Sequence, residues 1–204
     1  MTAERIPAGE PSVQRIIDLL GAAAPRAGAT KILAIDGRSG SGKSTLAAQI
    51  GERTSAVVVH IEDLYPGWDG LAAGVDVLVS SILAPITAGH EAYAPQWDWH
   101  AYAWGAPLRI APPRLLIVEG VGAASAGVRR FSSLVVWLEV PDEERLRRAQ
   151  ARDWTSYGPH WSRWAKQEQD LIVREGLPDC VDLIVDDRHA DDRGDLVNDR
   201  AVRR

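Results

Sequence analysis

Residues 37–44 read Gly-Arg-Ser-Gly-Ser-Gly-Lys-Ser, and no other stretch limits the fold of this chain so tightly. Every fixed position of the pattern G-x-x-x-x-G-K-[ST] is filled. The flanks agree with it. The apolar run Lys31–Ile35 (KILAI) reads as a buried strand leading in, and Lys43 to about Arg53 reads as a helix leading out. The glycines let the backbone curl until several N–H groups point at one phosphate, and the helix N-terminus adds its dipole. Gly37, Ser39, Gly40, Ser41, Gly42, Lys43, Ser44 and Thr45 are therefore the candidate nucleotide-binding residues. Lys43 can reach the β- and γ-phosphates, Ser44 can hold Mg²⁺, and Thr45 adds a hydroxyl. Only Lys31, Lys43 and Lys166 are lysines, against 20 arginines, which lowers the odds of a chance match.

The rest of the chain continues the alternation. Strands are expected at 56–61, 114–118, 134–140 and 181–185. Helices are expected from Ser12, as N-cap, to about Leu20, from Val75 to about Leu83 or Ile86, from Pro141 onward, and over roughly Ser162–Glu175. Apolar strands alternating with helices predict an α/β, doubly wound parallel sheet of five strands, a P-loop NTPase fold with a small lid. Residues 1–187 read as one domain, with 1–11 a loose arm and 188–204 a mobile mixed-charge tail. Ligands in such sheets bind beyond the carboxyl ends of the strands, which directs attention to Asp36 onward, Glu62-Asp63 and Glu119-Gly120. Residues 89–113 hold little periodicity and four prolines, and long ordered loops are commonly binding elements.

Composition excludes several classes. A net charge of −5 argues against a nucleic-acid footprint. Cys180 is the only cysteine, so neither an intrachain disulfide nor a cysteine-based zinc site is expected. No apolar run approaches the roughly 18 residues of a membrane span, and the first residues do not read as a signal peptide. The expectation is a cytoplasmic protein with a small-molecule partner, no nucleic acid and no membrane; a homo-oligomer is left open.

The phosphate loop alone does not choose a reaction. A GTPase should carry N-K-x-D, yet Lys166 is followed by Gln167-Glu168 and Lys31 by Ile32-Leu33. A motor or transporter ATPase usually has an apolar run ending in Asp-Glu, whereas here the run ends in Glu119-Gly120. A small kinase remains. Five collinear pieces then resemble the uridine kinase branch of the P-loop kinases, which includes phosphoribulokinase and pantothenate kinase relatives. They are IDGRSGSGKSTLA at Ile35–Ala47, EDLY at Glu62–Tyr65, PQWDW at Pro95–Trp99, LLIVEGV at Leu115–Val121 and RLRRAQARD at Arg145–Asp153.

The resemblance implies roles. The family's D-x-F-Y element supplies the base for the acceptor hydroxyl, and Glu62 occupies its first position here. Substituting Glu for Asp lengthens the reach by one methylene, so either Glu62 or Asp63 takes the role. Glu119 matches the family's E-G element and is implied to sit near Mg²⁺. Arg145, Arg148 and Arg152 share one helix face by their spacing, and the resemblance makes this face the start of a lid, about 152–164. Arg148 and Arg152 are implied to clamp the transferred charge on closure.

The acceptor side is expected from Tyr65, Trp97, Asp98, Trp99 and Tyr102. Trp97, Asp98 and Trp99 align with the Tyr-Asp-Phe of the uridine kinase pattern Y-D-F-V-S-H-S-R. That pattern's His and Arg fall on Tyr102 and Trp104, which argues against uridine itself. Trp97, Trp99 and Trp104 form one cluster and Trp154, Trp161 and Trp164 another; the two are expected to face each other across the phosphate loop. The reading is an ATP- and Mg²⁺-dependent kinase acting on a small-molecule hydroxyl. The alternatives are a nucleotide kinase with a phosphate acceptor and a nucleotide-binding regulatory ATPase.

Overall fold

Apolar runs of four to seven residues cannot bury both faces alone, so they assemble into one sheet with helices on either side. A computed structural model describes residues 3–187 of the chain, and the expected tail 188–204 lies outside the described residues. The order begins with β1 (Glu4–Pro7), α1 (Glu10–Ala22), β2 (Lys31–Gly37) and α2 (Lys43–Thr54). β3 (Val57–His60) runs into a 3-10 turn at Ile61–Leu64. α3 (Leu71–Val77) continues through a π-helical turn at Leu78–Leu83 into α4 (Ala84–Thr87). Four short strands follow: β4 (Ala92–Ala94), β5 (Trp97–Asp98), β6 (Ala103–Trp104) and β7 (Leu108–Ile110). The remainder is β8 (Leu115–Glu119), α5 (Ala126–Arg129), β9 (Leu134–Glu139), α6 (Asp142–Tyr157), a 3-10 turn at Gly158–His160, α7 (Trp161–Glu175) and β10 (Leu183–Asp186).

The sheet has six parallel strands in the order β1-β10-β9-β2-β8-β3, not five. The additional strand is β1, from the segment expected to be a loose arm. It pairs along the outer edge of β10, Glu4 opposite Leu183 through Pro7 opposite Asp186, and Arg5 bridges to Asp186 at 3.2 Å. Four polar-flanked residues carry no alternation, so their strand state is set by the waiting edge. Ser12 is likewise not the N-cap. Helix α1 starts at Glu10 behind Gly9, and the Ser12 hydroxyl donates to the Gly9 carbonyl at 2.7 Å.

Strand alternation sends the core to both faces. Leu33 and Ile35 of β2 pack with Val13, Ile16 and Leu20 of α1 and Leu46, Ala47 and Ile50 of α2. Ile32 and Ala34 pack on the other face with Leu71, Val75, Leu78, Ile82 and Leu171. The segment 89–113 carries two small antiparallel ribbons, β4 with β7 and β5 with β6. Strands of two or three residues are too short to show a period in the sequence.

The end of β2 is stapled to the turn after β8. Asp36 is buried, and its carboxylate accepts the Gly37 N–H at 2.7 Å, the Gly122 N–H at 3.1 Å and the Ala124 N–H at 2.7 Å. All three partners are donors, so an amide in place of the carboxylate sets its own NH₂ against a donor whichever way it turns. Asp36→Asn is therefore expected to cost about 1–3 kcal/mol of unfolding free energy. The measure is the urea midpoint at neutral pH; a midpoint equal to wild type would show that these three bonds do not hold the strand end.

Candidate active site

The phosphate loop sits where β2, flanked by β9 and β8, gives way to α2. Gly37, Gly40 and Gly42 hold φ of 149°, 82° and 93°, the left-handed region that glycine reaches without strain. Gly40 is also pressed against the α6 backbone at Arg145, where any Cβ would collide. At Gly42 the space is open: a Cβ there would have only the Arg148 guanidinium for a neighbour, Nη1 at 4.0 Å. Lys43 is buried at the first turn of α2, and its ammonium donates to the Arg38 carbonyl at 3.1 Å. Ser44 and Thr45 are exposed beside it.

A cavity of about 510 Å³ opens over this loop. Its floor is Ser39, Gly40, Gly42, Lys43, Ser44 and Thr45. Glu62, Tyr65 and Trp68 come from the segment after β3, Glu119 to Val121 from the end of β8, and Trp99 and His100 from the loop between β5 and β6. Arg148, Arg152, Ser156 and Tyr157 of α6 and Trp164 of α7 close it. Gly37 and Ser41 stand behind this floor: Gly37 abuts β9 at Leu138, and the Ser41 hydroxyl is buried.

The two neighbouring carboxylates after β3 part company. Glu62 is exposed on the cavity, while Asp63 is half-buried and accepts a bond from the Gln96 amide at 3.4 Å. Burial raises the Asp63 pKa above the ordinary carboxylate value. Glu119 is buried, and its carboxylate meets His60 Nδ1 at 2.5 Å. Sequence reasoning passed over His60, whose partner lies 59 residues away on the adjacent strand.

The loop expected to bind an acceptor is divided. Trp99 lines the cavity, and its indole N–H donates to the Glu62 carbonyl at 3.1 Å, tying the loop to the turn that carries Glu62. Trp97, Asp98 and Tyr102 do not line it. The Asp98 carboxylate accepts the backbone N–H groups of His100 at 2.8 Å and Ala101 at 2.9 Å, and so closes a turn. The Trp97 ring meets Tyr102 and Trp104 edge-on. Tyr65 lines the cavity, but its hydroxyl is spent on the Val121 carbonyl at 2.7 Å.

The residue that organises the aromatic wall is Trp68, absent from the sequence-based candidates. Its ring stacks on His160 at 4.4 Å and on Tyr157 at 5.4 Å, leans on Trp99 at 4.8 Å, and meets the edge of Trp164 at 6.3 Å. The two tryptophan clusters do meet, through Trp99 and Trp164, with Trp68 between them. Trp154 and Trp161 pair with each other instead. The expected lid, 152–164, is the last part of α6, a 3-10 turn and the start of α7. It is fastened further by the Arg163–Asp69 ion pair and by the Gln167 amide on the Trp68 carbonyl at 2.7 Å.

The arginines on α6 divide by depth. Arg145 is buried, donating to the Ser39 carbonyl at 3.0 Å and pairing with Asp142. Arg148 is held by Glu144 and Asp187, each at 2.6 Å, and pairing with Arg147 and Arg148 depresses the Glu144 carboxyl to about 2. Arg152 is exposed along the cavity.

Oxygen donors suited to Mg²⁺, the Ser44 hydroxyl and the Glu62 and Glu119 carboxylates, all border the cavity. No cluster of three or more His, Cys, Asp or Glu side chains that could hold a metal occurs among the described residues. None of the helices among the described residues is long and apolar enough to cross a membrane.

No protein-family model and no curated protein matches this chain. Solved structures do. A protein from Bacillus stearothermophilus described as a possible uridine kinase is 22% identical over 87% of this chain and 100% of its own, with a TM-score of 0.63. A protein from Silicibacter sp. TM1040, provisionally described as a fructose transport system kinase, is 21% identical over 85% of this chain and 97% of its own, with a TM-score of 0.55. These likenesses show that the chain has the α/β fold of the P-loop kinases.

Two groups, the buried Asp36 and the partly exposed His60, make stability depend on pH in the same direction. Burial raises the Asp36 pKa from 3.8 to about 6, against the pull of its N–H donors and Lys43. The Glu119 bond raises His60 above 6.5, with burial opposing it. In both cases the folded chain holds the proton more tightly than the unfolded one. The stabilisation is full below the unfolded pKa and is lost as pH rises through the folded value. The Asp36 contribution falls from about pH 4 to 6, and the His60 contribution falls above 6.5. Thermal melts from pH 4 to 8.5 should show His60→Asn flattening only the part above 6.5. A His60→Asn profile parallel to wild type would refute this account.

Proposed function

We propose that this chain, built on the fold of the P-loop kinases, transfers the γ-phosphoryl group of ATP to a hydroxyl of a small, ring-bearing molecule. One observation carries the reading: the phosphate loop and the Glu62 carboxylate border the same cavity of about 510 Å³. Phosphoryl transfer needs a triphosphate held at one end and a carboxylate that orients the attacking hydroxyl at the other.

Gly40, Gly42, Lys43, Ser44 and Thr45 bind the phosphates. Ser44 and Glu119 would hold Mg²⁺, which when bound neutralises charge on the β- and γ-phosphates. Glu62 is the base rather than Asp63, because Asp63 is turned into a bond with Gln96. The acceptor oxygen forms a bond to the γ-phosphorus as the bond to the departing ADP oxygen breaks, and Glu62 takes the hydroxyl proton. Arg148 and Arg152 face the transferred charge.

The chemistry of the walls favours a hydroxyl over a phosphate acceptor. The lysine and arginines lining the cavity, Lys43, Arg148 and Arg152, belong to the phosphate loop and α6. The opposite wall is Tyr65, Trp68, Trp99 and Trp164 with Glu62 and His100. A phosphate acceptor would find an unpaired carboxylate there instead of a cation, whereas a flat ring finds apolar contact.

A panel of nucleosides, vitamins and sugars, screened for acceptor-dependent ADP release, tests the reading. With the acceptor found, Lys43→Ala should abolish turnover while leaving the melting temperature near wild type. Glu62→Gln should lower kcat about 10²- to 10⁴-fold with little change in ATP affinity. EDTA should stop the reaction. ATP consumption that stays at background with every acceptor would favour a regulatory ATPase and overturn the kinase reading.

A further inference from the structure

Ser39 sits in the phosphate loop, yet none of its polar groups is held by the loop itself. Its N–H donates to Glu168 Oε1 at 2.8 Å and its hydroxyl donates to the same oxygen at 2.6 Å. Its hydroxyl oxygen accepts the Trp164 indole N–H at 3.1 Å. Its carbonyl accepts Arg145 Nη1 at 3.0 Å. Trp164 and Glu168 are one turn apart on α7, and Arg145 is on α6. The arm of the loop is therefore fixed by the two helices that frame the lid, across 106 to 129 residues of sequence.

Glu168 is 1% exposed, and its second oxygen faces Arg38 at 3.5 Å. Burying a carboxylate this deeply is costly unless its bonds are all made, and here they are made to Ser39 and Arg38. Glu168 itself does not line the cavity, whereas Ser39 does. It thus stands behind the loop, and whatever it does for a nucleotide it does through Ser39.

We propose that Glu168 is a positioning residue that sets the shape of the phosphate loop, so that nucleotide affinity depends on the placement of α7. The proposal rests on the reading of this loop as a nucleotide site. Freed from Glu168, the Ser39 N–H and hydroxyl turn to other acceptors, and the amides that follow lose their common aim. The coupling is reciprocal by linkage: a bound nucleotide that fixes the loop also fixes α7, which carries Trp164 and the Arg163 contact to Asp69.

The test is calorimetric titration of Mg-ADP, which needs no acceptor, into the full chain and its variants. Glu168→Ala is expected to weaken ADP binding by ten-fold or more. Glu168→Gln, whose amide oxygen can accept both Ser39 donors, should recover most of that loss. Ser39→Ala should weaken binding in wild type and add much less in Glu168→Ala, where the bond to the carboxylate is already gone and the Trp164 N–H bond is what remains to be lost. If Glu168→Ala does not fold, the same cycle is run with Glu168→Gln, where the Ser39→Ala penalty should remain. A merely structural role would lower the fraction of binding-competent protein and the urea midpoint while leaving the dissociation constant unchanged. That result, or losses that simply add in the cycle, overturns the proposal. If wild type binds ADP but releases none with any acceptor, the kinase reading falls and this inference stands. If wild type does not bind ADP, both fall.

Discussion

A phosphate loop is a backbone whose N–H groups converge, and converging donors cannot satisfy one another. Such a turn has to be held from outside. In this chain the hold is provided by two buried carboxylates, one at the end of β2 and one on α7. Asp36 takes the Gly37 N–H and two amides of the turn after β8. Glu168 takes the Ser39 N–H and hydroxyl from α7. Between these anchors the glycines supply the left-handed dihedrals, and the close approach of Gly40 to Arg145 brings α6 against the loop. The strand ends, the loop and the lid are thereby one connected polar unit set into an apolar sheet.

The second organising element is aromatic. Trp68 follows the turn that carries Glu62, and its ring is shared among Trp99, Tyr157, His160 and Trp164. Rings buried against rings give a stiff wall at low cost in side-chain entropy. The same contacts decide what the wall can offer a ligand. Much of the Trp68 surface is already covered by neighbours, so the cavity presents edges and partial faces rather than an open platform. The polar groups left around it are Glu62 and His100 on one side and the α6 arginines on the other.

The local parts of this site were legible because short-range chemistry fixes them. A glycine pattern between an apolar run and a helix start reads as a phosphate loop wherever it occurs, and the main strands and helices around it followed from the period of their apolar residues. Glu62, Glu119, Arg148 and Arg152 were also within reach, since each lies at a strand end or on a helix face that the sheet points toward one crevice. The aromatic loop was harder. Asp98 stands between two tryptophans and looks equipped for a ligand, but a carboxylate followed by free backbone N–H groups closes its own turn first. Nothing in the spacing of Trp97, Trp99 and Trp104 said which ring would turn inward.

The sequence by itself determined the parallel α/β sheet, the phosphate loop at the end of the strand that begins at Lys31, and the acidic residues that follow two further strands. These depend on runs of residues that are contiguous in the chain. Only the tertiary structure decided that a sixth strand joins the edge, that Glu62 and not Asp63 borders the cavity, and that Trp68 gathers the aromatic rings. It also decided that Glu168, 129 residues from Ser39, holds the phosphate loop. Each of these is a pairing between distant segments. Such a pairing is selected by which buried donor or ring is left without a partner once the sheet has formed, and no local pattern records that.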